Sequence, residues 1–211
     1  MDSNPVQILM GLMILAFSVI VHEVAHGYVA YRLGDPTAHL SNRLSLNPLN
    51  HIDPVGSIIL PLLLVLSQSP VFLAWAKPVP VDPRYFRNPR RDDLLVSIAG
   101  VVSNMILAVM AAALFRLLEP GQNDALSSFL WLFCAINVGL AVFNMVPVPP
   151  LDGSHVLAAI LPASAARAYS QFSGFGFIII IALMGLGVMS HVVGPIISWT
   201  VWCLMLAGTG G

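Results

Sequence analysis

The sequence predicts an all-α polytopic membrane protein: a three-helix core, a re-entrant or hairpin segment, and one or two C-terminal helices. Three observations carry this. Of 211 residues, 57% are hydrophobic and only 9% charged, where a soluble domain has about 25% charged residues. Mean hydropathy is +0.85. Several uncharged stretches are long enough, at 1.5 Å per residue, to cross a hydrocarbon core of about 30 Å.

The first span is expected over residues 8–33, roughly 39 Å of helix, with Gly34-Asp35-Pro36 as its stop. Met1-Asp2-Ser3-Asn4-Pro5 lacks the positive n-region of a signal peptide, and the span carries His22, Glu23 and His26, so it should stay in the mature protein. Residues 35–53 are polar and turn-rich. Asp53 before Pro54 reads as a cap followed by proline at the first helical position. Residues 54–76 are apolar but broken by Pro61 and Pro70, which suits a kinked span or a hairpin. Two further spans follow at 94–118 and 125–146, then a short helix at 152–161. Residues 172–206 form one long kinked helix or two short ones. The length leaves room for a single membrane-embedded domain over 1–211, with its core at 8–162 and its C-terminal helices at 172–206. A net charge of −1 argues against a nucleic-acid partner. Cys134 and Cys203 lie in apolar stretches and read as small core residues.

The chemistry concentrates in His22-Glu23-Val24-Ala25-His26. No residue from Ser3 to Val21 is charged, so three ionisable groups arrive together inside a span. Each costs roughly 2.5–3.5 kcal/mol on insertion scales, and such residues mark function by default. His22 and His26 are i and i+4, on one helix face, with Cβ atoms about 5–6 Å apart. Two imidazoles so placed suit one tetrahedral Zn²⁺. Glu23 lies about 100° around the helix, able to reach a water at the metal without being a ligand. A catalytic zinc needs a third protein ligand and an open position. Spans 94–118 and 125–146 contain only Arg116 as a charged residue. Asp152 follows the second span, after a proline-rich segment that cannot continue a regular helix. It is a candidate ligand, or the cap of the next helix. Asn104 and Asn137, also polar within spans, read as packing residues. His39, His51 and His191 lack an acidic partner at ligand spacing and read as structural.

The pair of segments His22 to His26 and Asn144-Met145-Val146-Pro147-Val148-Pro149-Pro150-Leu151-Asp152-Gly153 resembles the site-2 protease family of intramembrane zinc metalloproteases, peptidase family M50. Ser97 to Asn104 is similar to the family's Ala-Gly-Pro segment, with Val101 where proline is usual. Residues 47–54 and 76–83 resemble stretches of its small bacterial members, which lack a PDZ domain. The resemblance covers roughly residues 8–162. It implies His22, His26 and Asp152 as ligands of one Zn²⁺ per chain. It further implies Glu23 as general base and then acid, and Asn144 as a donor to the substrate backbone or the oxyanion. The implied activity is endoproteolysis within or near transmembrane segments of membrane-protein substrates, as in regulated intramembrane proteolysis. Two alternatives stand beside it: a membrane zinc transporter, and an inactive relative that binds transmembrane helices.

Topology is constrained by the need for these residues to converge. Lys77, Arg84, Arg87, Arg90 and Arg91 are five of nine basic residues, which places loop 77–93 in the cytosol. Span 94–118 then leaves, span 125–146 returns, and Asp152 reaches the cytosolic side of a cell membrane. His26 lies at the same depth if residues 54–76 cross an even number of times. An exposed strand near residues 75–79 has two readings, an edge that holds substrate by strand addition and an ordinary loop strand.

Overall fold

Among the described residues the fold is helical throughout. A computed structural model of the chain describes residues 5–59, 62–63, 66–67, 76–119, 121 and 124–206. Helix α1 runs Pro5–Arg32 and α2 is the short Thr37–Leu40. The two other core helices are α3, Pro89–Leu118, and α4, Ala125–Asn144. Then come α5, Asp152–Ile160, α6, Ala163–Ser170, α7, Gly176–Gly185, and α8, Gly194–Leu206. Four apolar helical stretches are long enough to cross a membrane: Pro5–Arg32, Pro89–Leu118, Ala125–Asn144 and Ala163–Gly185. The protein is a membrane protein.

Helix α1 stops where the sequence says it must. Gly34 adopts φ +108°, a conformation that glycine enters without a Cβ penalty. Gly34 N–H then donates to Tyr31 O at 3.1 Å, and Asp35 N–H to Ala30 O at 3.0 Å. These are the paired bonds of a Schellman cap. Helix α3 starts five residues before the expected span. Asn88 precedes Pro89, and the Asp92 carboxylate reaches back to accept the Asn88 N–H at 3.0 Å. Hydropathy alone hides this polar first turn. The helix continues unbroken through Val101, so the departure from proline leaves no break there.

Helix α3 is the centre of the core, antiparallel to both α1 and α4. Ser18, His22 and His26 of α1 meet Asn104, Gly100 and Val96 of α3 in that order. On the other side Ala108, Ala111 and Ala112 pack with Leu130, Cys134 and Val138 of α4, and with Val201 and Met205 of α8. Small residues let the backbones approach, which is what drives helix association in lipid. The outward faces carry exposed Leu9, Leu12, Ile106, Met110 and Phe129, while Ser18, Asn104 and Asn137 are fully buried. Cys134 and Cys203 are free thiols, the first wholly buried.

The antiparallel packing has a topological consequence. Ala30 of α1 packs with Phe86 and Val96, so the chain leaves α1 and enters α3 at one end of the bundle. That is the outcome an even number of intervening crossings requires. Asp53 accepts the N–H groups of Val55 and Gly56 at 3.0 and 2.6 Å. It thereby caps a π-helical turn, Pro54–Ile59. Most of the expected hairpin at 54–76 lies outside the described residues. The C-terminal stretch resolves into two helices, α7 and α8, separated by Gly187 at φ +73° and a π-helical turn, Met189–Val193. Helix α6 is an addition to the expected elements. It begins just after Pro162, and its polar Arg167 and Ser170 set it apart from the more apolar α7 that follows.

Asp35, fully buried, holds the loop after α1 together. Its carboxylate accepts the Thr37 N–H at 2.9 Å, the Thr37 hydroxyl, and the Asp82 N–H at 2.7 Å. Asp35→Ala strands these half-buried donors. It should lower stability by about 1–3 kcal/mol, read as a lower thermal midpoint of the detergent-solubilised protein.

Candidate metal centre

The two histidines of α1 are held in one tautomer each. Asn104 donates its amide to Asn137 Oδ1 at 3.0 Å and to Ser18 O at 3.3 Å, and Asn137 donates to Phe133 O at 2.9 Å. These bonds fix which end of the Asn104 amide is oxygen. That oxygen lies 2.6 Å from His22 Nδ1. It can only accept, so Nδ1 carries the proton and Nε2 is a bare lone pair. His26 Nδ1 lies 2.7 Å from Val96 O, again an acceptor only, so His26 Nε2 is bare as well.

Asp152 completes the group. Its Oδ2 is 3.1 Å from His22 Nε2 and its Oδ1 is 3.4 Å from His26 Nε2. The two Nε2 atoms are 2.9 Å apart. With each Nδ1 donating, neither neutral imidazole has a proton at Nε2 to share, so that approach is no hydrogen bond between neutral rings and three electron-pair donors face one another. Asp152 Oδ2 is buried and has no hydrogen-bond partner. All the ligand atoms lie within 4.8 Å. Two donors on a tetrahedral zinc with bonds near 2.0–2.1 Å are about 3.3 Å apart, so the group fits Zn²⁺ in both spacing and chemistry. Buried repulsion of this kind is relieved by a cation.

Each donor is placed by a local device. On α3, a Cβ at Gly100 would stand 2.5 Å from His26 Nε2 and 2.6 Å from His22 Nε2, so only glycine lets α3 approach the pair. Asp152 sits at the start of α5, beyond the turn 145–151, in which the Pro149-Pro150 bond is cis. Leu151 occupies the N-cap position and Asp152 the first helical one, so the carboxylate is turned to the histidines rather than used as a cap. Helix α5 is tied to the start of α3 by two links. Arg90 donates to Ala159 O at 2.7 Å and to Leu161 O, and His155 Nδ1 meets Asp93 Oδ2 at 2.9 Å.

The other expected site residues lie apart from the donor set. Glu23, half-buried, accepts the backbone N–H of Val79 at its Oε2, 2.7 Å away. Asn144 ends α4 and donates one amide hydrogen to Leu140 O at 3.0 Å. Among the described residues no hydrogen bond joins it to His22, His26 or Asp152. Asn104, expected only to pack, orients His22. Its signal in the sequence is an amide on the helix opposite the histidines, which becomes meaningful only once the register of α1 against α3 is known. Residues 76–79 form no strand among the described residues. The N–H groups of Lys77 and Val79 point inward, to His51 O at 2.9 Å and to Glu23, and Pro78 has none. A peptide therefore finds no row of free donors there.

A protein named "Putative zinc metalloprotease YwhC", from Bacillus subtilis (strain 168), is 37% identical over 203 residues, covering 92% of this chain and 84% of that protein. The chain belongs to peptidase family M50. The profile described as Peptidase family M50 matches residues 119–187, a stretch that holds Asn144 and Asp152. "Putative zinc metalloprotease Rip2" of Mycolicibacterium smegmatis is 29% identical over 167 residues, 79% of this chain and 63% of that protein. "Zinc metalloprotease MJ0392" of Methanocaldococcus jannaschii is 25% identical over 151 residues, 71% of this chain and 34% of that protein. The chain thus spans less than two thirds of these last two. No solved structure matches it. The family and the buried donor set agree: this is a membrane metalloprotease, and Zn²⁺ is its metal.

Two outcomes are expected. Gly100→Ala improves helix propensity by about 1 kcal/mol but drives a methyl group onto the histidines. Purified protein should stay helical while its zinc content falls well below one per chain. The second concerns His155, whose pKa is raised above the usual 6.5 because the Asp93 carboxylate accepts its hydrogen bond. A raised histidine stabilises the fold fully below its ordinary pKa and loses that contribution as pH rises through its folded value. Asp93→Asn should therefore lower the thermal midpoint more at about pH 6 than at about pH 9.

Proposed function

We propose that this protein is a zinc-dependent intramembrane endopeptidase. It cleaves peptide bonds within or near transmembrane segments of membrane-protein substrates, the reaction class of regulated intramembrane proteolysis. The observation that carries this reading is a convergent set of three metal donors, His22 and His26 on a membrane-length apolar helix and Asp152 at the start of α5, the first buried and the other two half-buried. A catalytic zinc site keeps a position open, and three protein donors leave one.

When bound, the zinc ion supplies Lewis-acid polarisation of water and of the scissile carbonyl. Glu23 takes a proton from the attacking water as the C–O bond forms. It returns that proton to the leaving nitrogen as the C–N bond breaks. Asn144 has a second amide hydrogen beyond the one given to Leu140, and donates it to the substrate backbone or the oxyanion. Asn104 and the Val96 carbonyl keep both imidazoles in the metal-binding tautomer. A helical peptide bond is shielded by its own hydrogen bonds, so the substrate must unwind locally.

The membrane is a multi-pass setting in this reading, with the site towards the cytosol. The basic residues of loop 77–93 support this. They lie at the end of the bundle where α1 ends, α3 begins and α5 docks through Arg90. His155, exposed and bonded to Asp93, marks a polar approach past Asp152.

Glu23→Gln should retain one zinc per chain and lose about 10²–10⁴-fold in cleavage of a transmembrane substrate. Asp152→Ala should lose zinc itself. Wild-type cleavage rates in a zinc-loaded Glu23→Gln preparation would remove the assignment of the base.

A further inference from the structure

We infer that residues 77–82 are a positioning strap whose Val79 N–H fixes the carboxylate of Glu23 for the reaction. This rests on Glu23 being the general base, as proposed above. The strap crosses α1 on the side of Glu23 and is pinned at three places. At its start, the Lys77 N–H donates to His51 O at 2.9 Å, and Arg43 Nη2 donates to Lys77 O at 2.5 Å and Pro78 O at 3.2 Å. At its end, the Asp82 N–H donates to Asp35 Oδ2 at 2.7 Å. Between them the Val79 N–H meets Glu23 Oε2 at 2.7 Å.

The anchors are stiff. Arg43, His51 and Asp35 are 6%, 2% and 0% exposed. His51 is itself held through Nε2 to Ser45 O at 2.7 Å. The Val79 side chain packs over Gly27, where a Cβ would come within 2.7 Å of it. Proline at 78 and at 80 fixes φ on either side of Val79. Six residues with both ends tied have little slack, so the Val79 N–H has little freedom to move.

Positioning, rather than blocking, is what this geometry does. A glutamate on a helix surface has three rotatable bonds, and one charge-assisted hydrogen bond to a backbone N–H removes most of that freedom. Among the described residues only Oε2 is taken, and the other carboxylate oxygen is available to water. A removable gate would not be held by two buried side chains, Arg43 and Asp35, and the main-chain carbonyl of a buried His51. The polar loop after α1 supplies no metal donor. Its Asp35, Arg43 and His51 instead carry the strap.

Val79→Pro deletes the N–H and trims the side chain, while Val79→Ala trims the side chain and keeps the N–H. Both are assayed on a transmembrane substrate in detergent beside wild type and Glu23→Gln, with zinc content measured for each. The expected result is a kcat for Val79→Pro about 10–100-fold below that of Val79→Ala, the scale of a misplaced reacting group. KM should stay within about threefold and zinc at one per chain. Equal kcat in the two variants, or a kcat for Val79→Pro above wild type, overturns the strap. Wild-type activity in Glu23→Gln overturns the underlying function instead. If Val79→Pro does not fold, Arg43→Ala and Arg43→Lys replace it. Lysine, which still donates to Lys77 O, should recover kcat that alanine loses, and equal kcat in those two overturns the proposal.

Discussion

Three lone pairs pointed at one another inside a membrane helix bundle are the constraint on which the rest of this structure turns. His22 Nε2, His26 Nε2 and the Asp152 carboxylate would repel in a dry interior unless a cation lies among them. The fold holds them there regardless. An amide chain from Phe133 through Asn137 and Asn104 to His22 crosses three helices, and every link has its donor and acceptor assigned. Such a chain is polarised in one direction. It fixes the imidazole tautomer, and it also supplies interhelical hydrogen bonds where apolar burial drives little association. One network therefore serves both the metal centre and the packing of α1, α3 and α4.

The antiparallel arrangement of the core explains how His26 and Asp152, far apart in the chain, reach one point. Helix α1 descends through His22 to His26, α3 starts at the end where α1 finishes, and α4 returns to it. The turn at 145–151 then needs to carry the chain only a short way before Asp152. Its prolines withhold N–H groups that a regular structure would need to satisfy. Arg90 and Asp93 tie α5 back to α3, so the carboxylate approaches the histidines on an anchored element rather than on a loose loop.

Much of this is legible in the sequence because it depends on local chemistry. The i, i+4 spacing puts the histidines on one face. Gly34 and Asp53 mark a helix end and a helix start by known cap chemistry, and the need for His26 and Asp152 to meet at one depth requires an even number of crossings between the first two core helices. What the sequence hides depends on register. Asn104 looks like any polar residue in a span until α1 is set against α3. The first turn of α3 is polar and so invisible to hydropathy, though Asn88-Pro89 and Asp92 specify it. Residues 75–79 are expected from their pattern to offer a strand edge. The described part instead directs the N–H groups of Lys77 and Val79 inward, because His51 and Glu23 supply acceptors that no local pattern reveals.

The same dependence on register bears on why the base sits next to a ligand. Adjacent residues on a helix point about 100° apart, so His22 and Glu23 cannot both face α3. Facing α3 fixes His22 through a rigid neighbouring helix, which leaves Glu23 directed at whatever covers the next face of α1. In this chain that cover is a proline-stiffened backbone segment, and backbone offers a donor that cannot change rotamer or protonation state. A side-chain donor there would bring its own freedom into the site. The arrangement thus splits the work between two neighbours of α1: a transmembrane helix orients the metal donors, and an anchored loop orients the carboxylate.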